Sequence, residues 1–119
     1  MKKIYIAGPY SADTEIQRQK NIDQARDAAA ELYRLGWAPF CPHTMTAYFD
    51  DDFPDIKREA YLKTDLAWLE CCDAILMLPG WEDSRGAQAE RDRSVELHQI
   101  GYYSLDEVPD LTKGGDTHD

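Results

Sequence analysis

The sequence predicts an α/β protein in which helices cover a parallel sheet. Short apolar runs alternate with longer amphipathic stretches, and glycine or proline ends several of the runs. The chain has 119 residues, which is enough for one domain with a buried core. Because ligands bind at the carboxyl edge of such sheets, functional residues are expected where the strands end.

The first half of the chain contains a strand, a long helix and a second strand. Residues 3–7 (KIYIA) form the first strand. Apolar or small residues recur at helical spacing over 14–35, and Gly36 follows where a C-terminal cap glycine belongs. Residues 37–41 (WAPFC) read as a short strand, and Pro39 indicates that this strand lies at an edge of the sheet.

The middle of the chain contains a polar segment, a helix and the most apolar strand. Residues 42–54 include three consecutive aspartates and predict a mobile lid, and a helix follows over about 55–71. Residues 73–78 (DAILML) are the longest apolar run. They predict a central strand that is buried on both faces.

The last part of the chain predicts a helix, a strand and a tail. The helix runs over about 84–99 and the strand over 102–105. After Pro109 the sequence has too little apolar surface to order itself. We therefore predict a folded domain over 1–108 and a flexible polar tail over 109–119.

The charge of the chain excludes several classes of partner. There are 23 acidic and 13 basic residues, so the formal net charge is -10, which repels nucleic-acid polymers and anionic lipid. No apolar stretch is long enough for a signal peptide or a membrane span. The three cysteines have no metal-ligand spacing and suit a reducing compartment. We expect a cytoplasmic protein without a membrane partner, a disulfide or a metal.

Two loops at the carboxyl edge are candidates for a binding site. Gly8, Pro9 and Tyr10 follow the first strand, and residues 79–86 follow the central strand. Glycines in both loops let a ligand approach the backbone closely. The second loop leads to a helix N-terminus, where Ser84 is a natural cap and where free amides suit a phosphate group.

Glu90 is the candidate for chemistry at this site. It lies four residues after Gly86, so its carboxylate falls on the glycine face of the helix and points back toward the N-terminus. A carboxylate behind a phosphate-holding turn can reach the anomeric carbon of a sugar. The alternative is that Glu90 is an ordinary exposed glutamate.

Two blocks of sequence carry a resemblance to a known family. The segments "IYIAGPYS" and "KTDLAWLECCDAILMLPGWEDSRGAQAE", and the order of elements between them, resemble the nucleoside 2-deoxyribosyltransferase superfamily, particularly its short phage and bacterial chains. The resemblance extends to about Tyr103. It implies a flavodoxin-like or Rossmann-like three-layer sandwich with four to five parallel strands, and assembly as a homodimer or larger homo-oligomer.

The resemblance also implies catalytic roles for three residues. Glu90 matches the glutamate that attacks the anomeric carbon of a 2'-deoxyribosyl group and expels the base. Asp65 matches an aspartate that assists at the base or the sugar. Tyr5 matches a tyrosine that lies close to the nucleophile.

The position six residues before the nucleophile bears on the substrate. Transferases of free nucleosides tend to have an aspartate there, whereas deoxynucleoside 5'-monophosphate N-glycosidases have a serine that contacts the phosphate. This chain has Ser84, and Arg85 and the amide of Gly86 can add charge-assisted hydrogen bonds. The glycosidases also have a serine after the first-strand glycine, where this chain has Pro9, so that contact falls to Ser11.

The remaining aromatic, histidine and cysteine residues divide between site and core. Tyr10 and Trp81 fall at the expected site and are candidates to stack on a base. Trp68 is expected in the core, like Trp37. His43 follows the second strand beside Cys41, and we interpret it as a packing residue.

The predicted function is removal of the base from a (2'-deoxy)nucleoside 5'-monophosphate by an N-glycosidase that needs no cofactor. The first alternative is a nucleoside 2-deoxyribosyltransferase that exchanges bases between deoxynucleosides. The lysine-decarboxylase-like phosphoribohydrolases are another enzyme class, but the chain lacks their double-glycine turn. A non-catalytic module that binds or sequesters a nucleotide is the alternative outside enzymes.

Overall fold

The computed structural model describes residues 1–114 and contains one sheet of four parallel strands. The order across the sheet is β2-β1-β3-β4, and each neighbouring pair is parallel. This arrangement confirms the predicted α/β fold, and it follows the flavodoxin-like order. The strands are β1 (Lys3–Ala7), β2 (Ala38–Phe40), β3 (Ala74–Met77) and β4 (Ile100–Tyr102).

Helices cover both faces of this sheet. The helices are α1 (Glu15–Arg34), α2 (Pro42–Met45), α3 (Phe49–Asp52), α4 (Arg58–Leu69), α5 (Arg85–Glu96) and α6 (Leu111–Gly114). Helix α1 packs on one face of the sheet, and α4 and α5 pack on the other. Within the described part of the chain, no helix combines the length and the apolar character that crossing a membrane requires.

The two inner strands separate the core into two layers. Ile4 and Ile6 of β1 contact the α1 layer, whereas Tyr5 and Ala7 contact the layer of α4 and α5. This alternation follows from the two-residue period of a strand. All four residues of β3 are buried, which confirms the predicted central strand.

Helix α1 has the predicted start and end. The side chain of Thr14 caps its N-terminus by accepting a hydrogen bond from the N–H of Gln17 at 3.1 Å. Gly36 follows the helix with a φ of +87°, a left-handed conformation that glycine adopts without a steric penalty. Strand β2 then lies at the edge of the sheet, as Pro39 predicts, because proline cannot donate to a second neighbouring strand.

The end of the domain differs from the sequence prediction. Helix α5 ends at Glu96 and not near residue 99, because His98 takes a left-handed φ of 58°. Strand β4 is Ile100–Tyr102 and not 102–105, because these three residues pair with β3. Gly101 therefore lies inside the strand. Pairing with β3 sets the limits of β4, and a local sequence pattern carries no information about that pairing.

The predicted lid forms two short helices that are tied to α1. The guanidinium of Arg18 lies 2.6 Å from a carboxylate oxygen of Asp51 and 3.4 Å from one of Asp50. It also lies 4.5 Å from the ring centroid of Tyr48. These contacts hold α3 against α1, and the mobility of residues 42–54 stays a prediction.

Contacts with the body of the domain continue past the predicted boundary at residue 108. The carbonyl of Pro109 accepts a hydrogen bond from the indole N–H of Trp37 at 2.9 Å. The N–H of Leu111 donates to the carbonyl of Leu35 at 2.8 Å. Flexibility of the tail stays a prediction, and residues 115–119 lie outside the described part of the chain.

Two glycines near the carboxyl edge differ in their surroundings. A Cβ on Gly8 would lie 2.9 Å from the Cβ of Leu78, which is closer than real contacts allow. A Cβ on Gly86, in the first turn of α5, would meet no atom within 4 Å. Gly8 is therefore required where the loop after β1 packs on the end of β3, whereas the space beside Gly86 is open.

We expect Gly8→Ala to destabilise the protein and Gly86→Ala, its matched control, to leave stability unchanged or slightly raised. The first substitution forces the backbone and Leu78 apart, which costs about 1–3 kcal/mol. The second adds a better helix former in open space. Urea unfolding of both variants measures the difference, and equal midpoints would contradict the packing role of Gly8.

Candidate active site

A cavity of about 880 Å³ lies at the carboxyl edge of the sheet, where the loops after β1 and β3 meet. Its volume is typical of small-molecule sites. Residues of α1, of the lid segment, of α4 and of the first turns of α5 complete its wall. The predicted site residues that line it are Gly8, Pro9, Tyr10, Ser11, Asp65, Ser84, Arg85, Gly86 and Glu90.

Glu90 is a buried carboxyl group in the wall of this cavity. Only 6% of its surface is exposed, and its Oε2 accepts a hydrogen bond from the hydroxyl of Tyr5. Tyr5 is fully buried in β1, so this hydroxyl reaches Glu90 from beneath the cavity. The structure thus brings Tyr5 and Glu90 together, and their catalytic roles stay a prediction.

Burial shifts the pKa of two of the carboxyl groups that line the cavity, Glu90 and Asp65. Burial raises the pKa of Glu90 to about 8, while the Tyr5 hydrogen bond lowers it and the charge of Asp65 raises it. Burial also raises the pKa of Asp65 to about 6. Burial and the charge of Glu90 raise the pKa of Tyr5, so its hydroxyl keeps its proton. Near pH 7, therefore, Glu90 is mostly protonated and Asp65 mostly ionised.

Stacked aromatic rings hold Tyr5 in place. Its ring centroid lies 5.7 Å from that of Phe40, which in turn lies 5.2 Å from that of Trp68. The prediction that Trp68 is a core residue is wrong, because 49% of its surface is exposed at the outer end of this stack. Trp37 is buried as predicted.

The first turn of α5 forms one wall of the cavity. The Oγ of Ser84 accepts a hydrogen bond from the N–H of Ala87 at 3.2 Å, which confirms Ser84 as the N-cap. Since the oxygen acts as acceptor in that bond, the hydroxyl proton is available to another acceptor. Arg85 and Gly86 follow in the same turn and face the same cavity.

Trp81 does not line the cavity, so its prediction as a base-stacking residue is corrected. Gly80 takes a φ of +90°, and the turn that follows directs the indole to the ring of Tyr103, at a centroid distance of 5.8 Å. The guanidinium of Arg91 covers the indole at 5.0 Å. Tyr10, the other predicted stacking residue, does line the cavity.

His43 lines the cavity, although its sequence context indicated only packing. Its Nε2 lies 3.1 Å from the carbonyl oxygen of Gly8 and 3.0 Å from that of Pro9. Carbonyls only accept, so Nε2 carries the proton. Burial lowers the pKa of His43, which keeps the ring neutral. It lies shortly after the end of β2, at the carboxyl edge of the sheet, and that position is a sequence signal for a site residue.

Two side-chain amides of α1 hold the cavity loops. Asn21 donates from Nδ2 to the carbonyl of Tyr10 at 3.1 Å, and Gln24 donates from Nε2 to the carbonyl of Pro79 at 3.3 Å. Neither residue is recognisable as a site residue from the sequence, because polar residues on a helix normally indicate its solvated face. Together they fix the loop after β1 and the loop after β3 to the same helix.

Charges of both signs line the cavity. The carboxyl groups are those of Asp50, Asp65, Asp83 and Glu90, and the guanidinium groups are those of Arg58 and Arg85. Asp50 is paired with Arg18 and also accepts a hydrogen bond from Tyr10 at 3.1 Å. Within residues 1–114, no three His, Cys, Asp or Glu side chains are grouped to hold a metal ion.

Solved structures define the class of fold. The chain is similar to a 2-deoxyribosyltransferase from Leishmania mexicana, with 19% identity and a TM-score of 0.60 over 100% of this chain and 75% of that one. It is also similar to a 2-deoxyribosyltransferase from the psychrotolerant bacterium Bacillus psychrosaccharolyticus, with 18% identity and a TM-score of 0.55 over 98% of this chain and 92% of that one. The fold is that of these enzymes.

A family model described as a domain of unknown function (DUF7768) matches residues 2–103. The chain therefore belongs to that family. No curated protein sequence matches it significantly.

We expect Glu90→Gln to stabilise the protein, and to do so more at high pH. The folded-state pKa of about 8 lies above the ordinary 4.5, so the stability that Glu90 contributes is complete below about pH 4.5 and is lost as the pH rises through about 8. Glutamine can still accept the Tyr5 hydrogen bond without becoming charged.

Thermal or urea unfolding at pH 5 and pH 9 measures this effect. The gain over the parent is expected to be small at pH 5 and on the order of a few kcal/mol at pH 9. Glu96→Gln, on the exposed side of the same helix, is the matched control. A Glu90→Gln gain that is equal at both pH values would show that Glu90 does not titrate as a buried group.

Proposed function

We propose that the chain is an N-glycosidase that removes the base from a (2'-deoxy)nucleoside 5'-monophosphate, with Glu90 as the nucleophile. The observation that supports it most is the buried Glu90 carboxyl, hydrogen-bonded to Tyr5 in the wall of a cavity at the carboxyl edge. The fold shared with 2-deoxyribosyltransferases adds the expectation of glycosyl chemistry at this edge.

The first step breaks the glycosidic bond. An ionised Glu90 oxygen forms a bond to the anomeric carbon, and the electron pair of the carbon–nitrogen bond leaves with the base. Asp65 delivers a proton to the departing base. Because Oε2 of Glu90 is occupied by the Tyr5 hydroxyl, Oε1 is the oxygen that attacks.

The second step regenerates the carboxylate. The oxygen of a water molecule attacks the anomeric carbon of the glycosyl ester, the carbon–oxygen bond to Glu90 breaks, and the proton of the water passes to Asp65. The product is the sugar 5-phosphate. If a second base replaces the water, the same intermediate gives base exchange, which is the transferase alternative and is favoured by the names of the two solved relatives.

The phosphate is assigned to the first turn of α5. Ser84 offers its hydroxyl proton, Arg85 offers a guanidinium, and the free amides of the turn carry the positive end of the helix dipole. Ser11 faces the same cavity after β1 and takes the place of the serine that Pro9 replaces. A homodimer or larger assembly and a cytoplasmic location also stay predictions.

The substrate class is tested by incubating the parent and Glu90→Ala with deoxynucleoside and ribonucleoside 5'-monophosphates and with the free nucleosides. We expect the parent to release base from monophosphates and Glu90→Ala to lose on the order of 10⁴-fold or more of the rate. Chromatography of the free base measures both.

The outcomes separate the alternatives. Glu96→Ala controls for surface changes on α5 and keeps parental activity. If base is released from free nucleosides alone, or only when an acceptor base is added, the function is that of a transferase and not of a monophosphate glycosidase. If no base is released from any compound while nucleotide binding is retained, the chain is a nucleotide-binding module without glycosidase activity.

The pH dependence of kcat/KM tests the roles of the two carboxyls. The reactive form has Glu90 ionised and Asp65 protonated. Because the pKa of Glu90 is about 8 and that of Asp65 about 6, a pair that holds one proton carries it mostly on Glu90. The reactive arrangement, with the proton on Asp65, is therefore the minor form of the singly protonated pair. We expect a bell-shaped profile that rises through about pH 6 and falls through about pH 8.

Asp65→Asn removes the group whose ionisation produces the falling limb. We expect this variant to lose about 10²- to 10⁴-fold in rate and to keep a single rising limb. That limb lies below pH 8, because the charge of Asp65 no longer raises the pKa of Glu90. An unchanged bell-shaped profile in Asp65→Asn would exclude Asp65 as the proton donor.

A further inference from the structure

One face of helix α4 forms a continuous wall of the cavity. Arg58, Tyr61, Leu62 and Asp65 line the cavity at spacings of three, four and seven residues, which place them on the same side of the helix. The stripe is about two turns, or about 10 Å, long. It has a cation at the helix N-terminus, a carboxyl group two turns further on, and a tyrosine between them.

Tyr61 has a polar group that the protein itself does not satisfy. Tyr61 lines the cavity, its hydroxyl oxygen is buried, and among residues 1–114 no group forms a hydrogen bond with that oxygen. Burial and the charges of Asp50 and Asp55 raise the pKa of Tyr61, so the hydroxyl keeps its proton and is a donor. A buried donor without a partner costs free energy that a ligand acceptor can recover.

Other tyrosine hydroxyls near the cavity form hydrogen bonds that join elements of the fold. Tyr5 donates to Glu90, Tyr10 donates to Asp50, and Tyr48 donates to Gln19. Each of these hydroxyls is part of a contact between two elements of the fold. The Tyr61 hydroxyl makes no such contact within the described residues, although its ring stands in the wall of the cavity.

The position of Tyr61 relative to the proposed reaction indicates which part of the substrate it meets. Glu90 and the first turn of α5 take the sugar and the phosphate, and Asp65 on α4 takes the departing base. Tyr61 lies one turn from Asp65 on the same face, with Cβ atoms about 5–6 Å apart. The base, which extends away from the sugar, therefore runs along the α4 wall.

We propose that Tyr61 reads the nucleobase, by donating a hydrogen bond from its hydroxyl to a ring nitrogen or carbonyl oxygen on the edge of the base. Leu62, the neighbouring residue of the stripe, packs against the heterocycle. This assignment rests on the proposed function, because Glu90 and Asp65 orient the nucleotide. It makes Tyr61 a specificity-determining residue, a role distinct from the chemistry of the two carboxyls.

Binding of free bases tests the assignment without requiring turnover. Titration calorimetry compares the parent with Tyr61→Phe, which removes only the hydroxyl, for adenine, guanine, cytosine and uracil and for deoxyribose 5-phosphate. We expect the best-bound base to lose about 5- to 30-fold in affinity. We expect deoxyribose 5-phosphate to bind both proteins equally. Tyr33→Phe, at an exposed position of α1, is the matched control and is expected to behave as the parent.

Turnover then shows whether the contact sets specificity. In Tyr61→Phe, kcat/KM for the preferred monophosphate is expected to fall about 5- to 30-fold and to approach that for the other bases. The pH profile is expected to stay unchanged, because Tyr61 does not take part in proton transfer.

The outcomes distinguish this inference from the proposed function. Equal affinity of Tyr61→Phe and the parent for every base, or no base binding by the parent, would overturn the inference. A loss of deoxyribose 5-phosphate affinity in Tyr61→Phe would also overturn it and make Tyr61 a phosphate ligand. If the parent binds a base through Tyr61 and releases none from any nucleotide or nucleoside, only the proposed function fails.

Discussion

The hydrogen bond between Tyr5 and Glu90 is the contact on which the rest of the site depends. A carboxyl group buried beside a sheet needs a partner, and a residue on the face of the inner strand β1 beneath α5 supplies it. Tyr5 occupies that position because β1 lies between β2 and β3. Phe40, from the neighbouring strand, packs against the tyrosine ring, so the partner of the Glu90 carboxyl is positioned by the sheet and not by a loop.

The burial that places Glu90 also determines its protonation. A carboxyl group removed from water keeps its proton to higher pH, and the charge of Asp65 adds to this effect. The unliganded protein therefore holds the Glu90 carboxyl mostly in the neutral form near pH 7. In the reaction that we propose, positive charge that develops on the sugar favours the ionised form of Glu90. The same burial that disfavours the charge in the unliganded protein then strengthens its interaction with the transition state.

The loops around this carboxyl are held by side chains of other elements. His43 donates to two successive carbonyls of the loop after β1, and Asn21 donates to the next one. Satisfying these carbonyls with buried or partly buried donors keeps the loop in one conformation before a ligand arrives. Gly8 completes the arrangement because only a residue without a side chain fits against Leu78. The loop after β1 is thus fixed to α1 and α2 and to the end of β3.

Local sequence patterns were sufficient to predict the apolar runs of β1 and β3, Gly36 at the end of α1, the N-cap of α5 at Ser84, and the helical spacing of Gly86 and Glu90. The tertiary structure decided what depends on pairing between distant segments. The limits of β4 follow from its partner β3, the turn after Gly80 takes Trp81 away from the cavity, and Trp68 is exposed because it lies at the outer end of an aromatic stack. Asn21 and the stripe of α4 with Tyr61 became visible only in three dimensions. Their local sequence context is that of packing or solvated positions, and only the approach of other elements turns them toward one cavity.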